Sequence, residues 1–480
     1  MPCQRTSWNV VYLMGIFSLI QNTQYSIYLT TMFAYMKKLN SSATEVDYGL
    51  IVATSSFGHC IGCFLLGYWN SRTGKSANSM YCGFFLMLLS NLVYLIIDFI
   101  PPEMVISTMM ISRLLGGFGM GNSSPMRTCA SLHSTSSDRS KAMASISGGR
   151  SVGTVVGPGL QLLFIPLGEI GFNILPGLFI HSNNAPAYLG IVLTILGILL
   201  LTFMFDENDL SEDSDKVAIA DFYYKSVKLT YPNPDKTAMF ICMLTRFIQN
   251  FMQIAIETLA LPLVMMMFFQ SSQEAVASMA TTYLTTGLIA TILYLAIIFT
   301  SLSKYVREKI FNCGVLLLFI VHLLITYPWQ FYSTKVIDFP NNNGTSTCEE
   351  FSWCETITIP PEMLFYIGYI LSFGLFMPFI NVANATLYSK LLNPDNQGTH
   401  QSLYDISNTM ARIFAPLIIT KIYSDFGPRR VWEFMSLILA LTASLWIIFD
   451  RRLVPIKAIE GKEIFEDNSG FENQQKKLVV

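Results

Sequence analysis

Residues 238–268 read AMFICMLTRFIQNFMQIAIETLALPLVMMMF. A bilayer core about 30 Å thick takes roughly 20 helical residues to cross, so a run this long and this apolar asks for lipid as its solvent. The run is not apolar throughout. Arg246, Asn250, Gln253 and Glu257 stand at i, i+4, i+7 and i+11, which places all four on one face of a helix. Inside hydrocarbon such a stripe cannot be a solvated face. It lines either a pathway or a network between helices.

The rest of the chain has the same character. Of its 480 residues 52% are hydrophobic and 13% charged, where an average soluble domain carries about 25% charged residues. The mean hydropathy is +0.46. These values exclude an ordinary cytosolic enzyme, a disordered hub and a secreted disulfide scaffold. A net charge of -2 gives no nucleic-acid footprint. None of the nine cysteines stands in a zinc-finger spacing, and His59 with Cys60 and Cys63 lacks a further ligand nearby, so neither metal nor cofactor is expected. His322 reads as a packed or hydrogen-bonded residue.

Twelve spans are expected, at about 8–35, 47–69, 78–98, 105–126, 143–165, 185–205, 238–268, 277–300, 309–328, 361–387, 400–422 and 431–450. The first begins near Trp8, is longer than a signal-peptide core and is read as a retained anchor. Basic residues set the orientation. With both termini cytosolic, Arg72, Lys75, Arg139, Lys141, Lys304, Arg307, Lys309, Lys390, Arg451 and Arg452 fall inside, while Lys37, Lys38, Lys335, Arg429 and Arg430 fall outside. The loop 329–360 is an independent check. It carries the sequon Asn343-Gly344-Thr345 and the pair Cys348 and Cys354, features of a luminal or extracellular compartment. A second sequon at Asn40 lies on the same side.

Four regions follow: an N-terminal six-helix half at 1–205, a cytosolic linker at 206–236, a C-terminal six-helix half at 237–452 that includes the luminal loop 329–360, and a polar, disordered cytosolic tail at 453–480. An internal repeat supports the halves. Ile20-Gln21-Asn22 and Gln24 in span 1 match Ile248-Gln249-Asn250 and Gln253 in span 7. Gly153-x-x-x-Gly157-Pro158 in span 5 matches Ala411-x-x-x-Ala415-Pro416 in span 11. The offset grows between the two matches by about the excess length of the loop between spans 9 and 10.

Between spans 2 and 3 runs Gly67-Tyr68-Trp69-Asn70-Ser71-Arg72-Thr73-Gly74-Lys75, and span 4 holds Arg113-x-x-Gly116-Gly117-x-Gly119-x-Gly121. In order, and with the Gly-Pro string of span 5, these resemble the signature motifs of the major facilitator superfamily. The resemblance implies an all-α multi-pass membrane protein of twelve helices in two pseudo-symmetric halves. Gly67, Arg72, Gly74 and Lys75 match the gate loop, but Ser71 stands where that family usually has Asp, which puts its interdomain charge contact in doubt. Further stretches are Phe164 to Glu169, Tyr388-Ser389-Lys390-Leu391-Leu392, Gln397-Gly398, Ala411-Arg412-Ile413, Gly427-Pro428-Arg429 and Trp353-Cys354. They look like the lysosomal subgroup of major facilitator superfamily domain-containing protein 8, linked to ceroid lipofuscinosis. That resemblance covers nearly all of 8–450 and implies a lysosomal or endosomal membrane protein, with chloride permeation proposed for the group.

A charge at a helix centre in the membrane costs about 2.5–3.5 kcal/mol on insertion scales, so it faces a cavity or a partner. Arg113 and Arg412 lie mid-span like Arg246, and Gln21, Gln24, Tyr25 and Tyr28 of span 1 share helical spacing. Together with Asn250, Gln253 and Glu257 these are the expected transport pathway. Three arginines against Glu257 leave positive charge in excess, which would attract an anion, and Glu257 could carry proton coupling. Gly117, Gly153 and Gly157 suit close helix packing, with Pro158 and Pro416 permitting bends. No catalytic constellation and no soluble domain are visible, so an enzyme is not expected. Tyr224-Lys225-Ser226-Val227 in the linker fits a signal for sorting adaptors. Three functional readings stay open. The first is a carrier that moves a small solute, an anion such as chloride, by alternating access. The second is a channel-like chloride conductor on the same scaffold. The third is a non-transporting membrane scaffold.

Overall fold

A backbone in hydrocarbon must satisfy its own N–H and C=O groups, so long apolar runs become helices. The computed structural model describes residues 6–28, 31–43, 45–164, 167, 172–175, 178–205, 229–230, 234–268, 272–332, 353, 357–393, 397–456 and 459–460. The N-terminal set comprises α1 (Trp8–Ile27), α2 (Met32–Leu39), α3 (Glu45–Thr73), α4 (Ser76–Ile96), α5 (Pro102–Met120), α6 (Ser123–Leu132), α7 (Arg139–Leu162) and α8 (Ala185–Met204). The C-terminal set comprises α9 (Lys236–Met267), α10 (Ser272–Phe299), α11 (Glu308–Thr326), α12 (Glu362–Tyr369), α13 (Met377–Lys390) and α14 (Gln397–Ile448).

Local chemistry explains the starts and breaks. Pro102 opens α5 and Pro186 lies in the first turn of α8, where a missing N–H leaves nothing unsatisfied. Asp235 caps α9, accepting from the Thr237 and Ala238 amides at 2.8 and 3.4 Å. Pro378 cannot donate to the carbonyl four residues back, and the turn before it widens into a π-helical segment, Ile370–Phe376. Gly427, at φ 80° and ψ 178°, breaks the axis of α14 in a conformation that favours glycine. The first expected span is also divided, into α1 and α2.

Nine described helical stretches are long and apolar enough to cross a membrane on length and composition alone. The difference from the expected twelve has identifiable sources. The last two expected spans run through α14 and count once. Of the others, α1 carries Gln21, Asn22, Thr23 and Gln24, and α7 carries Arg139, Lys141 and Arg150, so polar residues dilute both.

The packing repeats itself. In the N-terminal set α1 lies on α7, α3 on α5 and α4 on α8; in the C-terminal set α9 lies on α14, α10 on the π segment and α11 on α14. The small residues of the internal repeat sit at the first of these pairings in each set. Gly153 of α7 faces the backbone of α1 at Leu19 and Thr23, and Ala411 and Ala415 of α14 are fully buried. The two sets meet along two seams. One joins α3 and α6 to α14 and the other joins α7 to α10 and α13.

Two short antiparallel strand pairs lie outside the bundle, Phe172–Leu175 with Leu178–Ile180 and Leu229–Thr230 with Ile459–Glu460. The second corrects the expectation of a disordered tail over these residues. Leu453 is fully buried, the Ile456 amide donates to the Lys390 carbonyl at 3.1 Å, and the tail then pairs with the linker. Asn343, Cys348, Cys354 and Tyr224 to Val227 lie outside the described residues.

Glycine stripes let α3 and α5 touch. A Cβ on Gly62 would fall within 2.9 Å of the Phe118 backbone, whereas Gly314 on α11 has nothing within 4 Å. Gly62→Ala is expected to destabilise the fold by about 1–3 kcal/mol through overpacking. Gly314→Ala is expected to be neutral or slightly stabilising. Thermal unfolding midpoints of the purified variants in one detergent check both.

Candidate functional site

One face of α14 organises the centre of the protein. Thr399, Ser402, Asp405, Thr409 and Arg412 run along it at helical spacing, below Gln397 in the first turn, and meet the N-terminal set level by level. At the end of the bundle where α1 begins, Gln397 and Arg139 both donate to Ser389 of α13, at 3.2 and 2.7 Å, and Ser131 lies 2.5 Å from the same hydroxyl. About half a turn inward the Thr399 amide donates to Ser71 Oγ at 2.6 Å. Ser124 and Ser402 meet at 2.8 Å, where Gly67 leaves room for both hydroxyls. Deeper still, Asp405 accepts Ser123 Oγ at 2.9 Å, and Arg127 Nε stands 3.1 Å from its other oxygen without hydrogen-bond alignment. The innermost polar contact of this series joins His59 and Thr409 at 3.3 Å. From Gln397 to Thr409 the helix rises about 18 Å, so the seal is several turns deep.

Ser71 therefore holds the place of the Asp expected in the gate loop as a neutral acceptor at the N-terminus of α14. Arg72 does not enter the seal; it donates to Tyr68 at 2.9 Å on an exposed surface. Gly74 takes φ 66°, and Lys75 is exposed beside it. Apart from Arg139 on Ser389 at its terminal end, the second seam is apolar along its core. Ala144, Ala290, Tyr294, Ile297, Ile298 and Val382 form one cluster between α7, α10 and α13.

Between the seams stand the arginines. Arg246 donates to Asn381, which also takes Gln249 at 2.7 Å and donates to Tyr294 at 3.0 Å. Arg412 lies 5.8 Å from the ring centre of Tyr25. Arg150 of α7 feels the charges of Arg127, Asp405, Arg246 and Arg412. None of Arg150, Arg246 and Arg412 forms an ion pair among the described residues. Asn250 is spent on the Arg246 carbonyl at 2.9 Å, Gln253 donates to Glu257 at 2.8 Å, and Arg412 is the positive charge that reaches Glu257. In the N-terminal set Arg113 lines a small, partly open cavity together with Gln24 and Tyr25. Gln21 is used elsewhere, since its amide donates to the Met120 carbonyl at 2.5 Å. Gly117 faces the Ser55 backbone, Gly157 faces Ser26 and Ile27 of α1, and Pro158 and Pro416 lie inside α7 and α14.

The sequence reading brought together Arg246, Gln253, Glu257 and Arg412 and missed Arg127, Arg150 and Asp405. A signal was present. Ser402, Asp405, Thr409 and Arg412 keep i, i+3, i+7 and i+10 spacing, and Ser123 and Arg127 keep i, i+4. Among the described residues no group of three or more His, Cys, Asp or Glu could hold a metal.

A membrane-embedded bundle of two similarly packed helix sets, closed at one end around buried charges, is the architecture of a membrane transporter. The family model described as Major Facilitator Superfamily matches residues 13–338. The chain belongs to the major facilitator superfamily. It is similar to the major facilitator superfamily domain-containing protein 8 of Xenopus laevis, 23% identical over 478 residues, covering 94% of this chain and 92% of that protein. Among solved structures, the human organic anion transporter MFSD10 (TETRAN) shares the fold with a TM-score of 0.61 at 15% identity, covering 92% of this chain and 99% of that one. The proton:xylose symporter XylE does so with a TM-score of 0.67 at 13% identity, covering 94% and 96%.

Removing one partner of a buried ion pair leaves the other charge stranded, a cost of about 3–5 kcal/mol. Asp405→Asn is therefore expected to open the seal. A cysteine placed at Ser131, protected from an impermeant thiol reagent in the parent, should become labelled in this variant, as read by peptide mass mapping. Unchanged protection would refute the role of the pair.

Proposed function

We propose that the protein carries a small anion across the endolysosomal membrane by rocking two six-helix halves, 1–205 and 237–452, about a central site. The observation that carries this reading is a charge imbalance. Arg113, Arg127, Arg150, Arg246 and Arg412 are embedded within the bundle against Asp405 and Glu257 alone among the described residues, and Asp405 is already engaged by Arg127. Uncompensated positive charge at low dielectric is stabilised by an anion that can enter and leave. The name of one structural neighbour, an organic anion transporter, agrees with that sign.

In this reading the end carrying the termini is cytosolic, as the basic loops suggest, and the polar face of α14 is the cytosolic gate in its closed position. Ser71 keeps the gate contact without a charge. Glu257, between Gln253 and Arg412, is the group whose protonation would tune occupancy. The lysosomal address rests on the similarity to the domain-containing protein 8 relative. Chloride is the first anion to test, and a chloride conductor on the same scaffold is the second reading. Glycosylation is assigned to Asn343 rather than Asn40, whose amide nitrogen already donates to the Pro102 carbonyl at 3.1 Å. A Cys348–Cys354 disulfide in the same luminal loop belongs to this proposal.

The test is chloride flux and current in proteoliposomes at pH 5 and pH 7, with Arg246→Gln and Glu257→Gln alongside. Flux should fall at least tenfold in Arg246→Gln, and its pH dependence should flatten in Glu257→Gln. Macroscopic current would favour the conductor; tracer movement without comparable current would favour the carrier. Unchanged flux and pH dependence in both variants would overturn the anion pathway. Enzymatic deglycosylation should shift the parent on a gel and leave Asn343→Gln unshifted.

A further inference from the structure

Three helix ends meet at one end of the apolar seam. α1 begins at Trp8, α7 begins at Arg139 and α10 ends at Phe299. Aromatic side chains form a short ladder there that crosses from one helix set to the other. Trp8 stacks on Tyr12 with ring centres 5.6 Å apart, and Tyr12 stacks on Phe299 at 6.2 Å. The ladder is not covered by the protein, since Tyr12 is 36% and Phe299 71% exposed. A 3-10 turn, Ser301–Tyr305, follows and leaves Tyr305 74% exposed.

Cations stand beside these rings. Lys141 Nζ lies 5.9 Å from the centre of the Trp8 ring. Leu302 packs on the seam cluster that includes Ala144, three residues beyond Lys141 on α7, so the 3-10 turn reaches the same place. Lys304 and Arg307, just after Leu302, are exposed. None of Lys141, Lys304 and Arg307 forms an ion pair among the described residues. The carboxylates next to them in the chain are committed elsewhere. Asp138 accepts the Thr6 and Thr135 hydroxyls at 2.6 and 3.1 Å, and Glu308 takes Lys390 at 2.7 Å.

Exposed rings beside unanswered cations at helix ends are the chemistry of a bilayer interface, where ring bodies meet acyl chains and cations meet phosphate. A soluble anion would answer the cations and leave Phe299 and Tyr305 bare. A zwitterionic headgroup would bring its own ammonium to a positive patch. A phospholipid of net negative charge answers both halves of the patch, with its headgroup on the lysines and its chains over the rings.

We infer that this patch binds an anionic phospholipid, whose headgroup takes Lys141 from the N-terminal set and Lys304 from the C-terminal set. Such a lipid ties the two sets together at the end of the apolar seam. The inference goes beyond the transport reading and holds whichever solute moves.

The test is native mass spectrometry of the purified full-length chain in detergent, titrated with dioleoyl phosphatidylserine or dioleoyl phosphatidylcholine. The first phosphatidylserine is expected to bind about tenfold more tightly than phosphatidylcholine. Lys141→Gln and Lys304→Gln should each weaken it about fivefold, the loss expected for one cation near a charged surface. The double variant should show no preference between the two lipids. Lys141→Arg keeps the charge and should bind like the parent. Lys421→Gln, on α14 several turns from this end, should also bind within about twofold of the parent. Glycerophosphoserine, the soluble headgroup without acyl chains, should not displace the lipid at equal concentration. Equal affinity for the two lipids, a preference that survives in the double variant, or displacement by glycerophosphoserine as good as by phosphatidylserine would overturn the site.

Discussion

The ion pair of Arg127 and Asp405 is the constraint around which the closed end is arranged. Two charges lie almost wholly out of water, 1% and 0% exposed, in a seam between two helix sets. Such a pair persists only if the remaining lone pairs are satisfied and water is excluded. Ser123 supplies the extra donor. The serine contacts on the terminal side and His59 with Thr409 on the inner side close the seam over it. Gly67 allows the backbone approach that closure needs. The straight polar face of α14 and the glycines of α3 are therefore parts of one arrangement.

Outside that pair the embedded charge is one-sided. Arg246 is tied to an amide, Arg412 and Arg113 lie against aromatic rings, and Arg150 has positive neighbours. Amides and rings soften a buried cation without neutralising it. The embedded charge among the described residues is thus mostly positive, and the proposed anion pathway rests on that imbalance.

Much of this was legible in the primary structure, for physical reasons. Hydrocarbon forbids scattered polar groups, so the stripe on α9 and the Gly-Pro motif of α7 stand out against an apolar background. Arg127 and Asp405 share the spacing of their polar neighbours, but both lie in polar stretches, where charge is ordinary and spacing alone does not reveal burial. Only the tertiary meeting of α6 with α14 shows that they are buried. Arg150 follows two glycines in a polar helix and is likewise marked by its neighbours in space rather than in sequence. Gln21 shares the helical spacing of the expected pathway residues. Spacing gives the face of a helix but not the partner waiting there, and here the partner is the Met120 carbonyl.

The two seams differ in kind. The contact of α7 with α10 and α13 is apolar along its core, with Arg139 on Ser389 as its one described polar end, and dispersion forces depend weakly on angle. The contact of α3 and α6 with α14 is a ladder of hydroxyls and charges, each bond directional. Any relative rotation of the two helix sets therefore meets little resistance at the first and an abrupt one at the second. The apolar seam is the natural pivot and the polar seam the latch, and water must enter the latch as it parts.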